Sequence, residues 1–375
     1  MGIKNLSKLI KAEAKNSIQE INFNNIHMCK IAIDTSIILY QYVIAIRSRG
    51  SDLTTSDGRI TSHIHGILNK ALGLVEKGVL PVFIFDGKPP ELKKNKLDDR
   101  RKLRNDAEEA LKDIDDDEKR IKLLKKSVVV TSKQMNECKD ILKSMGIPLI
   151  DAPEEADSQA ASLAKKKMVY GVASEDMDLL TFGTPFLLRN FSLSKKKKIM
   201  RYDLNKILEG FEMNMNQFID LCILLGSDYL PTIGGIGPMR AFKFIKKYKS
   251  IDGLLTYIED NDLKKFKIPK DYDYVSARKY FQDCVNCKVK KGELKWKEPN
   301  YSELTKLLLS FDFSEKKINV YKKKLEKSFK LYKKRKQKIT EQKAGKKMLA
   351  KMYNVKEKTE SNDSFKVSVL KHAEV

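Results

Sequence analysis

Acidic residues recur where apolar runs end. Asp34 closes Cys29–Asp34 (CKIAID) and Asp86 closes Pro81–Asp86 (PVFIFD). Glu155 and Asp157 open the helical stretch after Ile147–Asp151, and Asp176 and Asp178 directly follow Val169–Ser174. Two unit charges about 4 Å apart repel by roughly 4 kcal/mol at an effective dielectric of 20, and several pairs compound that cost. A divalent cation removes it. Hard oxygen ligands without His or Cys select Mg²⁺, with Mn²⁺ as a substitute, over zinc. Two such ions, about 3.5–4 Å apart, activate a water and stabilise the leaving oxygen of a phosphodiester. A single Asp at a strand end is ordinarily a helix N-cap. Four strand ends doing this together, in a basic chain, point instead to metal-assisted phosphoryl transfer on nucleic acid. The spacing does not say which nucleic-acid structure is cut.

The elements that must position these carboxylates read as short apolar strands alternating with helices. Cys29–Asp34 leads into a helix over Ile37–Ile46, and Ile60–Val75 is a second helix ahead of the strand Pro81–Asp86. Gln134–Met145 precedes the strand Ile147–Ile150, and Glu155–Lys165 precedes Val169–Ala173. Continuous apolar strands of this kind are buried on both faces, which predicts a doubly wound, mostly parallel α/β sheet with helices on both faces. Ligand sites of such sheets lie outside the carboxyl ends of the strands, where the acids are. Between Lys88 and Val128 the chain is densely charged. Composition alone favours a solvated or disordered insertion, while its helix formers and mixed charge also allow a helical excursion standing off the core. An apolar helix over Asn216–Leu225 leads to a glycine turn, Gly234–Pro238, and then to a helix whose Arg240, Lys243 and Lys247 share one face.

Charge narrows the partner. The 375 residues hold 74 Lys plus Arg against 50 Asp plus Glu, a net +24. That excess neutralises phosphates and favours polyanions over a merely solvated surface. No apolar stretch approaches the roughly 20 residues needed to cross a bilayer, and the five cysteines fit a reducing compartment. A soluble intracellular protein is expected, with no membrane partner. Cys284 and Cys287 form a CxxC with no second pair to complete a zinc site.

Several of these segments, taken together, resemble the flap endonuclease family of structure-specific 5′ nucleases. They are Met1-Gly2-Ile3, Ile31–Tyr40 (IAIDTSIILY), Phe85–Pro90 (FDGKPP), Ala152–Asp157 (APEEAD), Ser174–Gly183 (SEDMDLLTFG), Leu221–Tyr229 (LCILLGSDY), Gly234–Pro238 (GGIGP) and, more weakly, Phe313–Ile318 (FSEKKI). The resemblance spans roughly residues 1 to 330, in order. It implies a two-metal site of Asp34, Asp86, Glu155, Asp157, Asp176, Asp178 and Asp228, the last of which strand ends alone do not place. Lys93 and Arg100 are implied as the pair that contacts the scissile phosphate, a role with an electrostatic rationale. The charged insertion, about 88–132, is implied to be a helical arch for a free 5′ end, and about 216–250 a helix–two-turn–helix. There Gly235, Gly237 and a bound K⁺ would grip duplex phosphates, with Arg240, Lys243 and Lys247 adding charge. Tyr40 and Arg47 are implied DNA contacts, Tyr40 by base stacking, although a core tyrosine reads equally well there.

The expected organisation is a 5′ nuclease domain over 1–330 and a basic tail over 331–375. The expected partner is branched or flapped DNA, bound by a monomer, for replication and repair. Asp157 departs from the Glu common in the family and occurs in its 5′ exonuclease branch, so 5′→3′ exonuclease activity stays as an alternative. A non-catalytic DNA scaffold is the other, and concentrated negative charge beside DNA argues against it. The glutamine-led motif that binds the sliding clamp has no good copy; Asp363-Ser364-Phe365-Lys366 lacks the Gln and the second aromatic. Lys333-Lys334-Arg335-Lys336 reads as a nuclear import signal or as a DNA-contacting tail.

Overall fold

The computed structural model describes residues 2–47, 53–111, 116–194, 197–283 and 286–357. A seven-stranded sheet in the order β1-β7-β6-β5-β2-β3-β4 forms the centre. Its members are β1 (Ile18–Ile21), β2 (Lys30–Asp34), β3 (Leu80–Phe85), β4 (Leu149–Asp151), β5 (Gly171–Ala173), β6 (Phe186–Arg189) and β7 (Ile199–Asp203). Strands β2 to β6 run parallel, while β7 and β1 add an antiparallel edge that the apolar-run pattern had not indicated. These edge strands are half-buried and mixed in polarity, so they lack the continuous apolar run that marks the centre.

Because strand side chains alternate, each central strand feeds two cores. Ala32, Val82, Ile84, Val172 and Leu187 face one; Ile31, Ile33, Phe83, Phe85 and Leu188 face the other. The first core is covered by α1 (Leu6–Glu13), α7 (Ala156–Lys165), α8 (Asp178–Thr181), α9 (Leu204–Phe211) and α10 (Met215–Leu225). The second is covered by α2 (Thr35–Arg47), α3 (Ser62–Glu76), α6 (Ser132–Ser144), α14 (Tyr301–Ser310) and α15 (Glu315–Glu357). The small residues Ala160 and Ala161 are fully buried and let α7 lie close on the sheet. Thr131 and Gln134 form a capping box that starts α6.

The charged insertion is helical. It folds as α4 (Lys94–Ala110) and α5 (Asp117–Lys126), which pack on each other while α5 also packs on α2. Ala107 is the one buried residue of α4, so polar helix formers rather than a core hold its shape. Past the sheet, α10 begins at an Asn214–Gln217 capping box and ends at Gly226, whose φ of +103° suits glycine. Pro238 occupies the first turn of α11 (Pro238–Tyr248), a position that wants no backbone N–H. Helices α12 (Ile251–Asp260) and α13 (Tyr274–Gln282) pack around α10.

Helix α15 runs through residue 330 without a break, so no boundary of secondary structure falls where the basic tail was expected to begin. Phe329 and Tyr332 are buried against Trp296, tying that stretch to the body. Cys284 and the Asp363–Lys366 segment lie outside the described residues, as does the side chain of Arg47. Among the described residues no helix is long and apolar enough to cross a membrane.

Candidate active site

Strand register sets the acidic rim. Asp34 is level with Ile84, which places Asp86 two residues, about 7 Å, further along the neighbouring strand. Ile33 is level with Ala173, so Ser174 stands beside Asp34 and Asp176 lies just beyond it. Asp86 accepts a hydrogen bond from the Ala156 amide at 2.8 Å and another from the Ser36 hydroxyl. The first of these ties the rim to the positive end of α7. Glu155 is the N-cap residue of that helix and Asp157 lies in its first turn. Asp176 accepts from the Asp178 amide at 3.0 Å, which folds the loop after β5 back over the rim.

The rim is crowded with like charge. Burial, and then repulsion from Asp86 and Asp176, push the Asp34 carboxyl well above the usual carboxylate range. Burial, Asp34, Asp176 and Glu155 do the same to Asp157, with Lys93 opposing. Burial, Asp176 and Asp228 do so at Asp178, and burial raises Asp176. Burial is the first cause of each shift, and neighbouring carboxylates add to it.

Two basic residues answer this charge from above. Lys93 ion-pairs with Glu155 and sits 5.5 Å from the centre of the Tyr229 ring. Burial works against its charge, but Glu155, Asp157 and Asp178 hold its pKa above the usual lysine value. Arg100, on α4, ion-pairs with Asp228 in the loop after α10. The start of the insertion therefore stands directly over the acidic rim.

Asp34, Asp86, Glu155, Asp157, Asp176 and Asp178 share this rim as neighbours, and Asp228 adjoins it through Asp178 and Arg100. Among the described residues no three of the acids close on one point as a finished coordination cage. The donor set nevertheless fits a hard divalent cation. It is all oxygen, and Asp157 Oδ1 and Asp178 Oδ1 are buried with no hydrogen-bond partner.

The structure also supplies residues that the strand-end pattern did not reveal. Tyr229 donates its hydroxyl to Glu155 Oε2 at 2.5 Å, and Tyr280 donates to the same oxygen at 3.0 Å. Tyr229 ends the LLGSDY segment, a usable signal; Tyr280 carries none. Gly2 lies against the rim with φ +72°, and a Cβ there would fall 1.9 Å from Asp176 Oδ1 and 2.4 Å from Asp178 Oδ1.

The remaining sequence-derived residues lie elsewhere. Tyr40 is 37% exposed on α2 rather than in the core. Gly235 has φ +83° and packs so closely on the Lys265 carbonyl that a Cβ would stand 2.9 Å from it. Gly237, the N-cap residue of α11, faces open space. Arg240 donates to the Gly235 carbonyl at 2.8 Å, closing the turn, while Lys243 and Lys247 are exposed. Cys287 donates its amide to Gln159 at 2.8 Å, so it packs the 286–300 segment on α7.

Known proteins are similar to this chain in sequence and fold. Residues 1–107 match the family described as the XPG N-terminal domain, and residues 146–228 the one described as the XPG I-region. The chain is 43% identical to flap endonuclease 1 of Meyerozyma guilliermondii over 338 residues, 88% of this chain and 90% of that protein. The structure of flap endonuclease-1 from Methanococcus jannaschii matches with a TM-score of 0.62 at 30% identity, over 83% of this chain and 96% of that one. The catalytic core of Rad2 in complex with DNA substrate has the same fold, with a TM-score of 0.68 at 22% identity over 86% of this chain and all (100%) of that one. Acidic rim, overhanging bases, fold and sequence agree: the chain belongs to the flap endonuclease family of XPG-type structure-specific nucleases.

Proposed function

We propose that this nuclease cleaves DNA 5′ flaps at the single-strand/duplex junction, in replication and repair, with two Mg²⁺ ions for which Mn²⁺ substitutes. The observation that carries the reading is the pairing of Lys93 with Glu155 and of Arg100 with Asp228, which sets two cations over the acidic rim across one gap. Asp34, Asp86, Glu155, Asp157, Asp176, Asp178 and Asp228 would hold the ions, some through water. Bound there, divalent ions supply a nucleophilic hydroxide and neutralise the leaving oxygen.

The chain's own residues do the rest. Lys93 and Arg100 turn from their carboxylate partners to the non-bridging oxygens of the scissile phosphate, where negative charge builds up. Tyr229 and Tyr280 fix the Glu155 carboxylate so that it need not reorganise when its lysine leaves. Exposed Tyr40 offers a stacking face to a base at the junction, and Arg47, at the end of the same helix, would add a phosphate contact. The turn through Gly235 and Gly237 would offer backbone amides to duplex phosphates and hold a K⁺ ion, and Arg240, Lys243 and Lys247 would add phosphate contacts. The paired helices α4 and α5 form the arch for the free 5′ end. Residues 1–330 form the nuclease domain with 331–375 as a basic extension, and the enzyme works as a monomer in the nucleus.

The test compares labelled flap, nicked, gapped and single-stranded DNA with Mg²⁺ and with EDTA. Junction cleavage of flaps only with Mg²⁺ is expected. Mononucleotide release from nicks in preference to flaps would replace the reading with a 5′→3′ exonuclease, and equal turnover in EDTA would remove the metal ions.

A further inference from the structure

The parallel strands carry their acids at one pole, and bases gather at the other. Lys30 begins β2 and Asp34 ends it, about 13 Å apart along the strand. The 290–300 segment crosses beneath this amino pole. Lys297 donates its amide to the Gly146 carbonyl and Asn300 to that of Ser144, both at 2.8 Å, just ahead of β4. The segment thereby brings Lys291 and Lys295 toward Lys30. Helix α15 adds Lys336 and Arg335, the latter meeting His27 in the turn before β2.

These positive charges act on one another. Burial first, then Lys291, Lys295 and Lys336, hold the Lys30 ammonium below the usual lysine value, and burial with Arg335 does the same to His27. Among the described residues Lys30, Lys291, Lys295 and Lys336 have no ion-pair partner. Of the nearby acids Glu298 pairs with Lys333 at 3.1 Å, while Glu293 accepts the Lys290 amide at 3.2 Å and keeps its charge, which leaves the four lysines in excess. An anion with several charges would relieve the repulsion.

The surroundings indicate which anion. A groove of about 470 Å³ runs beside Lys336 over Trp296, Phe329 and Tyr332. That aromatic floor is closed, with exposures of 7%, 6% and 8%. A protein partner is ordinarily anchored by apolar and aromatic side chains that the free surface exposes. This surface offers cations over a sealed floor, which matches a phosphate backbone.

We propose that the amino pole of the sheet is a second nucleic-acid-binding surface, on which Lys30, Lys291, Lys295 and Lys336 grip the backbone of a duplex segment other than the one cleaved at the acidic rim. The test uses the full chain and its K291Q/K295Q/K336Q variant, whose three side chains are exposed. Each protein is saturated in EDTA with an unlabelled flap bearing short arms, and a labelled blunt duplex of about 30 base pairs is titrated in and followed by anisotropy. The unaltered chain is expected to bind the duplex with the flap in place, and the variant at least about fivefold more weakly. The slope of log affinity against log salt should fall in magnitude by about 2–3, since each lost phosphate contact removes about 0.9. With Mg²⁺, single-turnover cleavage of a saturating flap should be the same in both proteins. The proposal is overturned if the flap fully displaces the duplex from the unaltered chain, or if the variant keeps its duplex affinity and salt slope. Loss of binding to a poly-glutamate peptide with duplex binding intact overturns it too, and assigns the pole to an acidic protein.

Discussion

Arg100 on α4 and Asp228 in the loop after α10, 128 residues apart in sequence, form an ion pair that closes the helical insertion onto the acidic rim. The arginine is half-exposed, so the pair itself contributes little to stability. Under the proposed function its value lies in position, because an arginine held there would reach a phosphate after a short swing. Arg100→Gln is therefore expected to leave flap affinity within about threefold while slowing single-turnover cleavage by about 10²–10³-fold, the usual loss for one donor to developing charge. A cleavage rate near that of the unaltered enzyme would remove Arg100 from the chemistry.

Asp176 touches most of the rim, being a neighbour of Asp34, Asp157 and Asp178. Asp176→Ala should abolish Mg²⁺-dependent cleavage and keep flap binding, since less negative charge beside DNA does not weaken association. Thermal stability in EDTA should rise slightly as repulsion is relieved. Normal turnover by this variant in Mg²⁺ would refute the metal assignment.

Gly2 tests the same site sterically. Its φ of +72° and the 1.9 Å that would separate a Cβ from Asp176 Oδ1 leave no room for a side chain. Gly2→Ala is expected to cut Mg²⁺-dependent cleavage at least about tenfold, because the added methyl must displace the Asp176 and Asp178 carboxylates. Full activity in this variant would show that the chain start does not lie on the rim.

His65 gives the pH dependence a sign. Its ring stacks on Phe313 at 4.3 Å, and burial, then Lys317 and His63, push its pKa down from 6.5 to about 4. Between these values the unfolded chain holds a proton that the folded one refuses. The contribution to stability is thus intact above about 6.5 and is lost as the pH falls toward 4. Asp34, Asp157, Asp176 and Asp178, with raised values, act in the opposite direction, so the comparison must be with a variant. Urea midpoints should fall more on acidification for the unaltered chain than for His65→Phe, by on the order of 1 kcal/mol after allowing for partial exposure. Parallel midpoints would show that His65 titrates normally.

Six of the seven rim acids were legible because a parallel sheet sends strand ends to one side, and burial makes those strands readable as apolar runs. Asp228 needed the LLGSDY motif, since it follows a helix and no period announces it. The antiparallel edge was hidden because β1 and β7 are half-polar. The insertion was open between solvated chain and helices, since charge alone does not choose, and packing of α4 on α5 decided it.

Residue types and order alone thus determined the acids at the strand ends, the bases that follow them and the sheet that collects them. What only the tertiary structure decided is which opposite charges meet and which like charges crowd. Lys93 on Glu155, the two tyrosines behind it, Gly2 against Asp176 and the lysines around Lys30 all join residues distant in sequence. Electrostatic and steric energies depend on distances of a few ångströms, and those distances exist only once the chain has folded.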